Sequence, residues 1–318
     1  MGRPIPNRSA GRRAAMPAAL AVVLLAAALA AWLGVGWVAA GRLTVPERRF
    51  DPALHPAAFG ATGTRDVTLR TRDGVAIAAW HLPVPGADAA VVLVHGHEAS
   101  RTWEFAQRFP ELAATLQANG YHVVMLDLRG HGASGGERFS FGHLERLDVI
   151  AAVDLLAAEG VPHGQVGVLG VSMGAATAIG AAADDPRIGA LWADSGYADI
   201  LPILEMRWPS ASGLPMVFLH GTRLAHRWRF GFDLGGVRPE VELARVAPRP
   251  IQLVHGTADR TVPYEHALRL AAAAPSDLWT LPGGEHARAY PDDPVGYAAR
   301  VLDFFDAALR VKVASVRP

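Results

Sequence analysis

The chain contains no cysteine. That excludes disulfides, thiol nucleophiles and cysteine-bound metals, and it leaves the compartment open, because exported proteins can lack disulfides. Lysine is almost absent too: Lys312 is the only one, so arginine supplies nearly all of the 30 basic residues, a compositional bias before it is a functional choice. These balance 30 acidic residues to a formal net charge of zero, and nothing in that total points to nucleic acid. No set of histidines and carboxylates has zinc-ligand spacing, so neither a metal nor another cofactor is expected. Beyond alanine richness there is no low-complexity tract and no internal repeat. What remains is bulk. With 318 residues, 51% hydrophobic and 19% charged, the chain can bury a sizeable core without cross-links.

Within that bulk the most specific stretch is Leu169-Gly170-Val171-Ser172-Met173-Gly174. It follows the apolar run Gln165 to Leu169 and precedes the alanine-rich run Ala175 to Ala183, which reads as a strand, a tight turn and a helix. In such a turn the serine adopts a strained backbone that flanking glycines leave room for. Its hydroxyl then stands at the carboxyl end of a sheet beside a helix N-terminus. This is a way to present a nucleophile.

Other buried-strand runs end in polar loops. Ala90 to Val94 stops at His95-Gly96-His97, and Val123 to Leu126 stops at Asp127-Leu128-Arg129-Gly130-His131-Gly132. Ile251 to Val254 leads into His255-Gly256-Thr257-Ala258-Asp259, and Leu278 to Leu281 into Pro282-Gly283-Gly284-Glu285-His286. Ser172, Asp259 and His286 thus each follow a strand-like run, in that chain order. Helical segments are expected at Phe105 to Ala118, His143 to Glu159, Met173 to Ala183, Tyr264 to Ala273 and Val295 to Leu309, and an opening hairpin turns at Arg72-Asp73-Gly74. Buried strands alternating with helices predict a mostly parallel α/β sheet covered on both faces.

The Gly-x-Ser-x-Gly turn, the Ser, Asp, His order and the alternation together resemble the α/β-hydrolase family over roughly Val67 to Leu309. The resemblance implies a nucleophile at Ser172, a general base at His286 and an orienting acid at Asp259. It also implies an oxyanion hole from the backbone N–H groups of Met173 and His97, the latter carried over from the His-Gly-x pattern after the third strand. Glu98 follows, where some lipases have a Gly-Gly run, so the hole's shape stays open. Asp194, after the run Gly189 to Ala193, is the competing acid. Asp127 and Arg129 match a family loop of structural character. His95, His131 and His255 read as loop hydrogen-bonders, His122 as the start of a strand and His266 as helical.

The N-terminal region carries the second signal. No charged residue occurs from Ala14 through Gly41, and Ala18 to Ala40, at about 1.5 Å per residue, is long enough to cross a hydrocarbon core of roughly 30 Å. The alternative is a signal peptide cleaved after Val38-Ala39-Ala40, but the apolar region exceeds the usual h-region of about 7 to 15 residues. Arg3, Arg8, Arg12 and Arg13 ahead of the span, against Arg42, Arg48 and Arg49 after it, favour a cytoplasmic N-terminus and an extracytoplasmic catalytic domain. The domains expected are a basic tail at 1–13, an anchor or signal sequence at 14–41, a linker at 42–64 and a catalytic domain at 65–318. A cap insertion is expected at about 196–246. Its aromatics, among them Trp208, Phe218, Trp228, Phe230 and Phe232, either pack among themselves or line an acyl pocket, and its arginines, including Arg207, Arg223, Arg227 and Arg229, either meet an anionic substrate or lipid headgroups or, as is favoured, form a solvated basic face.

The resulting expectation is a membrane-anchored serine hydrolase of carboxylic esters, acting on a small ester or lipid-like substrate through an acyl-serine intermediate. Thioester or peptide cleavage would use the same apparatus, and a catalytically silent binding protein could keep the fold. Serine rather than aspartate at 172 argues against haloalkane and epoxide hydrolysis, and nothing resembles the extra propeller of related oligopeptidases. Oligomeric state is left open.

Overall fold

The structure, a computed structural model, describes residues 10–310. Arg3 and Arg8, which carry part of the expected orientation bias, lie outside the described residues. The chain forms two compact units, Met1–Leu43 with Glu205–Asp233, and Thr44–Leu204 with Leu234–Pro318.

The larger unit is built on eight strands: β1 (Arg65–Arg70), β2 (Ala76–Leu82), β3 (Ala90–Val94), β4 (His122–Leu126), β5 (Val166–Val171), β6 (Ile188–Asp194), β7 (Ile251–Gly256) and β8 (Asp277–Leu281). They form one sheet in the order β1-β2-β4-β3-β5-β6-β7-β8, antiparallel at β1/β2 and β2/β4 and parallel elsewhere. Strands β3, β4 and β5 are buried along their whole length, as their Val-rich and Leu-rich runs require when helices cover both faces. The register sets Val94 beside Gly170, Val171 beside Asp194 and Asp194 beside Val254. The carboxyl ends of β3, β5, β6 and β7 therefore lie level, and the loops that leave them meet at one edge.

The helices in chain order are α1 (Ala10–Leu43), α2 (Glu104–Gln107), α3 (Phe109–Ala118), α4 (Arg146–Ala158), α5 (Met173–Asp184), α6 (Ile200–Ser212), α7 (Val217–Phe230), α8 (Pro239–Leu243), α9 (Glu265–Ala273), α10 (Ala289–Asp292) and α11 (Pro294–Leu309). Helices α3 and α11 pack on one sheet face, and α4, α5 and α9 on the other. The core between sheet, α3 and α11 is aromatic, with Trp80, Trp192, Phe105, Phe109, Tyr297 and Phe305 all buried.

Two helices start later than expected, for local reasons. The segment from Phe105 is not one helix: Phe105, Ala106 and Gln107 have φ of 52°, 53° and 70°, and regular helix begins at Phe109. Pro110 in its first turn has no N–H to lose there. The helix expected from His143 begins at Arg146, because the Glu145 carboxylate binds Ser140 N, Ser140 Oγ and Gly142 N at 2.7–2.8 Å and holds that stretch as a turn.

In the smaller unit α1 is long and apolar, with Ala18–Leu43 sufficient in length and composition to cross a membrane or to serve as a signal sequence. Its last turns pack along α7. Gly213, at φ 68°, lies in the turn from α6 to α7, and Trp208 Nε1 donates to Pro215 O at 3.1 Å across it. The ring of His226 packs on those of Phe230 and Phe232, at 4.9 and 4.5 Å between centroids.

Candidate active site

Ser172 sits between the end of β5 and the start of α5, with φ 56° and ψ −116°. This is a sparsely populated conformation for a residue with a side chain, and it persists only where the surroundings enforce it. Here both neighbouring glycines are sterically required. A Cβ on Gly170 would collide with the backbone of Gly174, and one on Gly174 with the carbonyls of Val94 and His95. The turn is thus pressed against the end of β3, and Ser172 N donates to Asp194 O of β6 at 2.8 Å.

Three side chains from three loops converge at this turn. His286 Nε2 is 3.0 Å from Ser172 Oγ, and His286 Nδ1 is 2.7 Å from Asp259 Oδ2. Asp259 is buried, while the His286 side chain keeps 21% of its surface exposed. The second oxygen of Asp259 accepts the backbone N–H groups of Thr261 and Val262, both at 2.8 Å. Burial opposes ionisation of Asp259, but the hydrogen bonds from His255, His286 and Val262 outweigh it and hold the carboxyl well below the usual carboxylate range. His255, expected to be a loop hydrogen-bonder, lies 2.8 Å from Val262 O and 3.3 Å from Asp259 Oδ2.

Asp194, the competing acid, is bound elsewhere. It accepts from Ser195 Oγ at 2.8 Å and Tyr297 Oη at 2.9 Å, and Tyr297 Oη accepts in turn from Trp192 Nε1. Ser195 Oγ also accepts the N–H of Ala287, at 3.1 Å, and so ties the loop that carries His286 to the end of β6. The loop after β3 passes close to the nucleophile: a Cβ on Gly96 would lie 3.2 Å from Ser172 Cβ. His97 follows Gly96 in that loop, and Met173 opens α5, where the first N–H groups have no partner within the helix.

A carboxylate that the sequence did not single out holds this loop. Glu104 is buried, and its two oxygens accept Gly96 N at 2.6 Å and Phe105 N at 3.1 Å. Burial raises its pKa, opposed by those two hydrogen bonds. Neither Glu104 nor Ser195 stands in a recognisable motif, and only the fold brings them to the site. Glu104 also lines a cleft of about 310 Å³ beside His286, together with His97, Glu98, Trp103, Phe105 and Arg288.

The remaining motif residues brace the surrounding loops. Asp127 accepts from Arg101 N and Ala133 N at 2.9 Å, and a Cβ on Gly132 would strike its carboxylate. Arg129 bridges Asp148 at 2.7 Å and Asp73 at 2.6 Å. Leu128 N donates to His95 Nε2, and His95 Nδ1 lies 2.7 Å from Gly96 O, so His95 is held as the neutral Nδ1–H tautomer. Burial lowers its pKa to about 4 and that of nearby His131 to about 3. Among the described residues no group of His, Asp and Glu is arranged to hold a metal ion.

Comparison with known proteins agrees with this architecture. The Hydrolase_4 family, described as serine aminopeptidase, S33, matches residues 85–200. The Escherichia coli K12 protein YfhR is 27% identical over 252 residues, covering 76% of this chain and 81% of its own length. Bacillus subtilis YqkD is 28% identical over 247 residues, covering 73% and 76%. Among solved structures, the Pyrococcus furiosus esterase Pf2001 superposes with a TM-score of 0.67 at 25% identity, over 83% of this chain and 99% of that one. Sheet order, elbow and relatives point the same way, and the chain has the α/β-hydrolase fold.

Proposed function

We propose that this protein is a serine hydrolase that cleaves carboxylic esters through an acyl-Ser172 intermediate. The observation that carries the reading is the hydrogen-bonded series Ser172, His286, Asp259 at a strained turn. A serine hydroxyl is a weak nucleophile at neutral pH. As Ser172 Oγ attacks the ester carbonyl, His286 Nε2 takes its proton and then returns it to the departing alcohol. Asp259, held ionised, keeps His286 in the tautomer with Nδ1 protonated and stabilises the imidazolium. The backbone N–H groups of Met173 and His97 receive the negative charge on the carbonyl oxygen, each such donor being worth on the order of 3 kcal/mol. Water, activated by the same imidazole, releases the acid.

The cleft beside His286 receives part of the substrate. Its lining includes Trp103 and Phe105, and burial of each methylene contributes roughly 0.8 kcal/mol, so specificity rises with acyl length until the space is filled. The uncharged run Ala14 to Gly41 of α1 anchors the enzyme as a single span, with the catalytic unit outside the cytoplasmic membrane. Peptide cleavage is the second reading, favoured by the aminopeptidase description of the matching family; the esterase Pf2001 favours the first. The test is fluorophosphonate labelling of the intact protein, followed by matched panels of acyl esters, acyl thioesters and aminoacyl anilides. Labelling with fastest turnover of the esters is expected. Turnover of anilides alone would replace ester by peptide chemistry, and no labelling would mean a silent fold.

A further inference from the structure

We propose that the α6–α7 hairpin is a second membrane-inserting element, docked on the anchor helix, with its tip in the leaflet nearer the C-terminus of α1. The inference rests on the reading of α1 as a retained membrane span.

Contacts along the two helices fix their relative direction. Trp32 Nε1 donates to Val217 O at 2.9 Å. Farther on, Gly36 meets Gly221 so closely that a Cβ on Gly36 would lie 2.6 Å from the Gly221 carbonyl carbon, and a Cβ on Gly221 would touch the Trp32 ring at 3.0 Å. At the far end the Arg229 guanidinium lies 5.2 Å over the Trp37 ring, and Nη1 donates to Trp37 O at 3.3 Å. The order is Val217 with Trp32, Gly221 with Gly36 and Arg229 with Trp37, so α7 runs parallel to the last turns of α1. The start of α7 and the turn from Gly213 to Met216 are therefore level with Trp32.

Trp32 lies inside the bilayer wherever the span is placed. A hydrocarbon core takes about 20 residues of helix. Any such window within the uncharged run Ala14 to Gly41 includes Trp32. The tip of the hairpin is thus brought to hydrocarbon depth by a helix that spans the core.

Its chemistry suits that depth. From Trp208 to Thr222 there is no Asp, Glu, Lys or Arg, whereas Arg207 and Arg223 flank the stretch. The hydroxyls within it bond back to their own helices: Ser210 to Arg207 O, Ser212 to Trp208 O and Thr222 to Phe218 O, at 2.6–3.0 Å. Trp208 Nε1 is satisfied by Pro215 O. A segment entering lipid must satisfy its polar groups internally, and its three hydroxyls and the Trp208 indole do so, while the His220 side chain is exposed on the start of α7. Outside, α7 shows an apolar stripe of Val217, Leu224 and Trp228, with Val217 54% and Trp228 69% exposed. That stripe is costly in water and fits acyl chains, with Trp228 and its neighbouring arginines at the level of Trp37, where aromatic and basic residues favour the interface. Close packing over glycine is also the usual way helices associate in lipid.

The cysteine-free chain makes the test direct. Met216→Cys, Val23→Cys and Asp88→Cys, all at exposed positions, are each labelled with an environment-sensitive nitrobenzoxadiazole. The full-length protein is then reconstituted in phosphatidylethanolamine and phosphatidylglycerol vesicles, with or without doxyl-labelled acyl chains. The expected result is blue-shifted emission quenched by doxyl lipid for the Met216→Cys and Val23→Cys probes, and neither effect for Asp88→Cys. Adding Gly221→Leu should reduce quenching at position 216 and leave position 23 unchanged. A 216 probe that behaves like the 88 probe while position 23 is quenched overturns the hairpin proposal and leaves the anchor standing. Blue-shifted emission at 216 that doxyl lipid does not quench places the tip against protein, such as a second copy, and overturns it as well. Unquenched emission at position 23 overturns anchor and hairpin together. Undiminished quenching at 216 with Gly221→Leu overturns the docking on α1. Fluorophosphonate labelling of the same samples reports the serine chemistry separately.

Discussion

The two units of this chain are held together by different means. In the larger one, several buried charges are held by directional bonds: Arg129 lies between Asp73 and Asp148, Glu145 caps a turn with three bonds, and Glu104 binds two backbone N–H groups. Breaking such an arrangement leaves an uncompensated charge in low dielectric, which is why it fixes loop geometry. In the smaller unit the helices meet through glycine backbone and tryptophan rings, and the large apolar side chains of α1, such as Leu25 and Leu29, face outward. Water expulsion cannot explain that pattern, because so much apolar surface remains uncovered. Packing that tolerates an apolar surround can. The comparison teaches that the two units are built differently, with directional polar bonds around the proposed reaction site and with small residues at the helix contact, as the proposed membrane span requires.

The sharpest way to test this division is to remove the proposed nucleophile. Ser172→Ala should abolish fluorophosphonate labelling and ester turnover while leaving far-ultraviolet circular dichroism and membrane extraction behaviour unchanged. Labelling that survives would move the nucleophile elsewhere in the molecule. Next in size, Asp259→Asn should lower turnover by roughly 10⁴, the scale of a tautomer error at a serine–histidine pair. Asp194→Asn should cost less, since His286 is bonded to Asp259, and its effect should fall mainly on thermal stability. Steady-state kinetics of the two variants measured together would expose a reversed order.

Stability should respond unequally in the two units. Trp192→Ala removes a buried ring from the sheet core and should cost about 3–5 kcal/mol in denaturant unfolding of detergent-solubilised protein. Trp228→Ala removes an exposed one and should stay within about 0.5 kcal/mol in detergent. An equal loss from both would mean that the smaller unit has a core like the larger.

A smaller effect is expected from pH. His95 and His131 are held neutral by burial, with pKa values near 4 and 3 against an ordinary 6.5. The folded state binds fewer protons than the unfolded one below that ordinary value, so their contribution to stability is full above about pH 6.5 and declines as pH falls toward 4. Asp259, lowered instead as a carboxyl, contributes fully above the ordinary carboxyl pKa and loses that contribution progressively as pH falls below it. Unfolding free energies measured across that range should fall with acid, and His131→Asn should flatten the slope. The smallest expected effect is none: chelators should leave ester turnover unchanged, because the proposed oxyanion donors are backbone N–H groups.

Much of the larger unit could be read in one dimension. The strands from β3 to β7 announced themselves as short apolar runs ending in Gly, His or Asp, and the elbow at Ser172 as a serine between glycines. The start of α3 was misread because the left-handed turn at Phe105 to Gln107 is enforced by its surroundings and not by local preference. Glu104 gave no signal, since a lone glutamate in Thr102-Trp103-Glu104-Phe105 looks like any solvated helix residue until its two backbone partners are in view. For the segment after β6 the sequence offered a cap rich in aromatics and arginines, and α6 and α7 were not anticipated as helices.

By itself the sequence determined the alternation of strands and helices, the strained turn at Ser172 and a helix long and apolar enough to span a membrane. These depend on period, composition and steric rules that act within a few residues. Only the tertiary structure decided that His286 bonds to Asp259 while Asp194 turns to Ser195 and Tyr297, that Glu104 braces the Gly96 loop, and that Gly221 seats α7 on Gly36 of α1. Each of these joins residues far apart in the chain, at strand ends or helix faces whose adjacency comes from sheet order and packing, and no local preference encodes that adjacency.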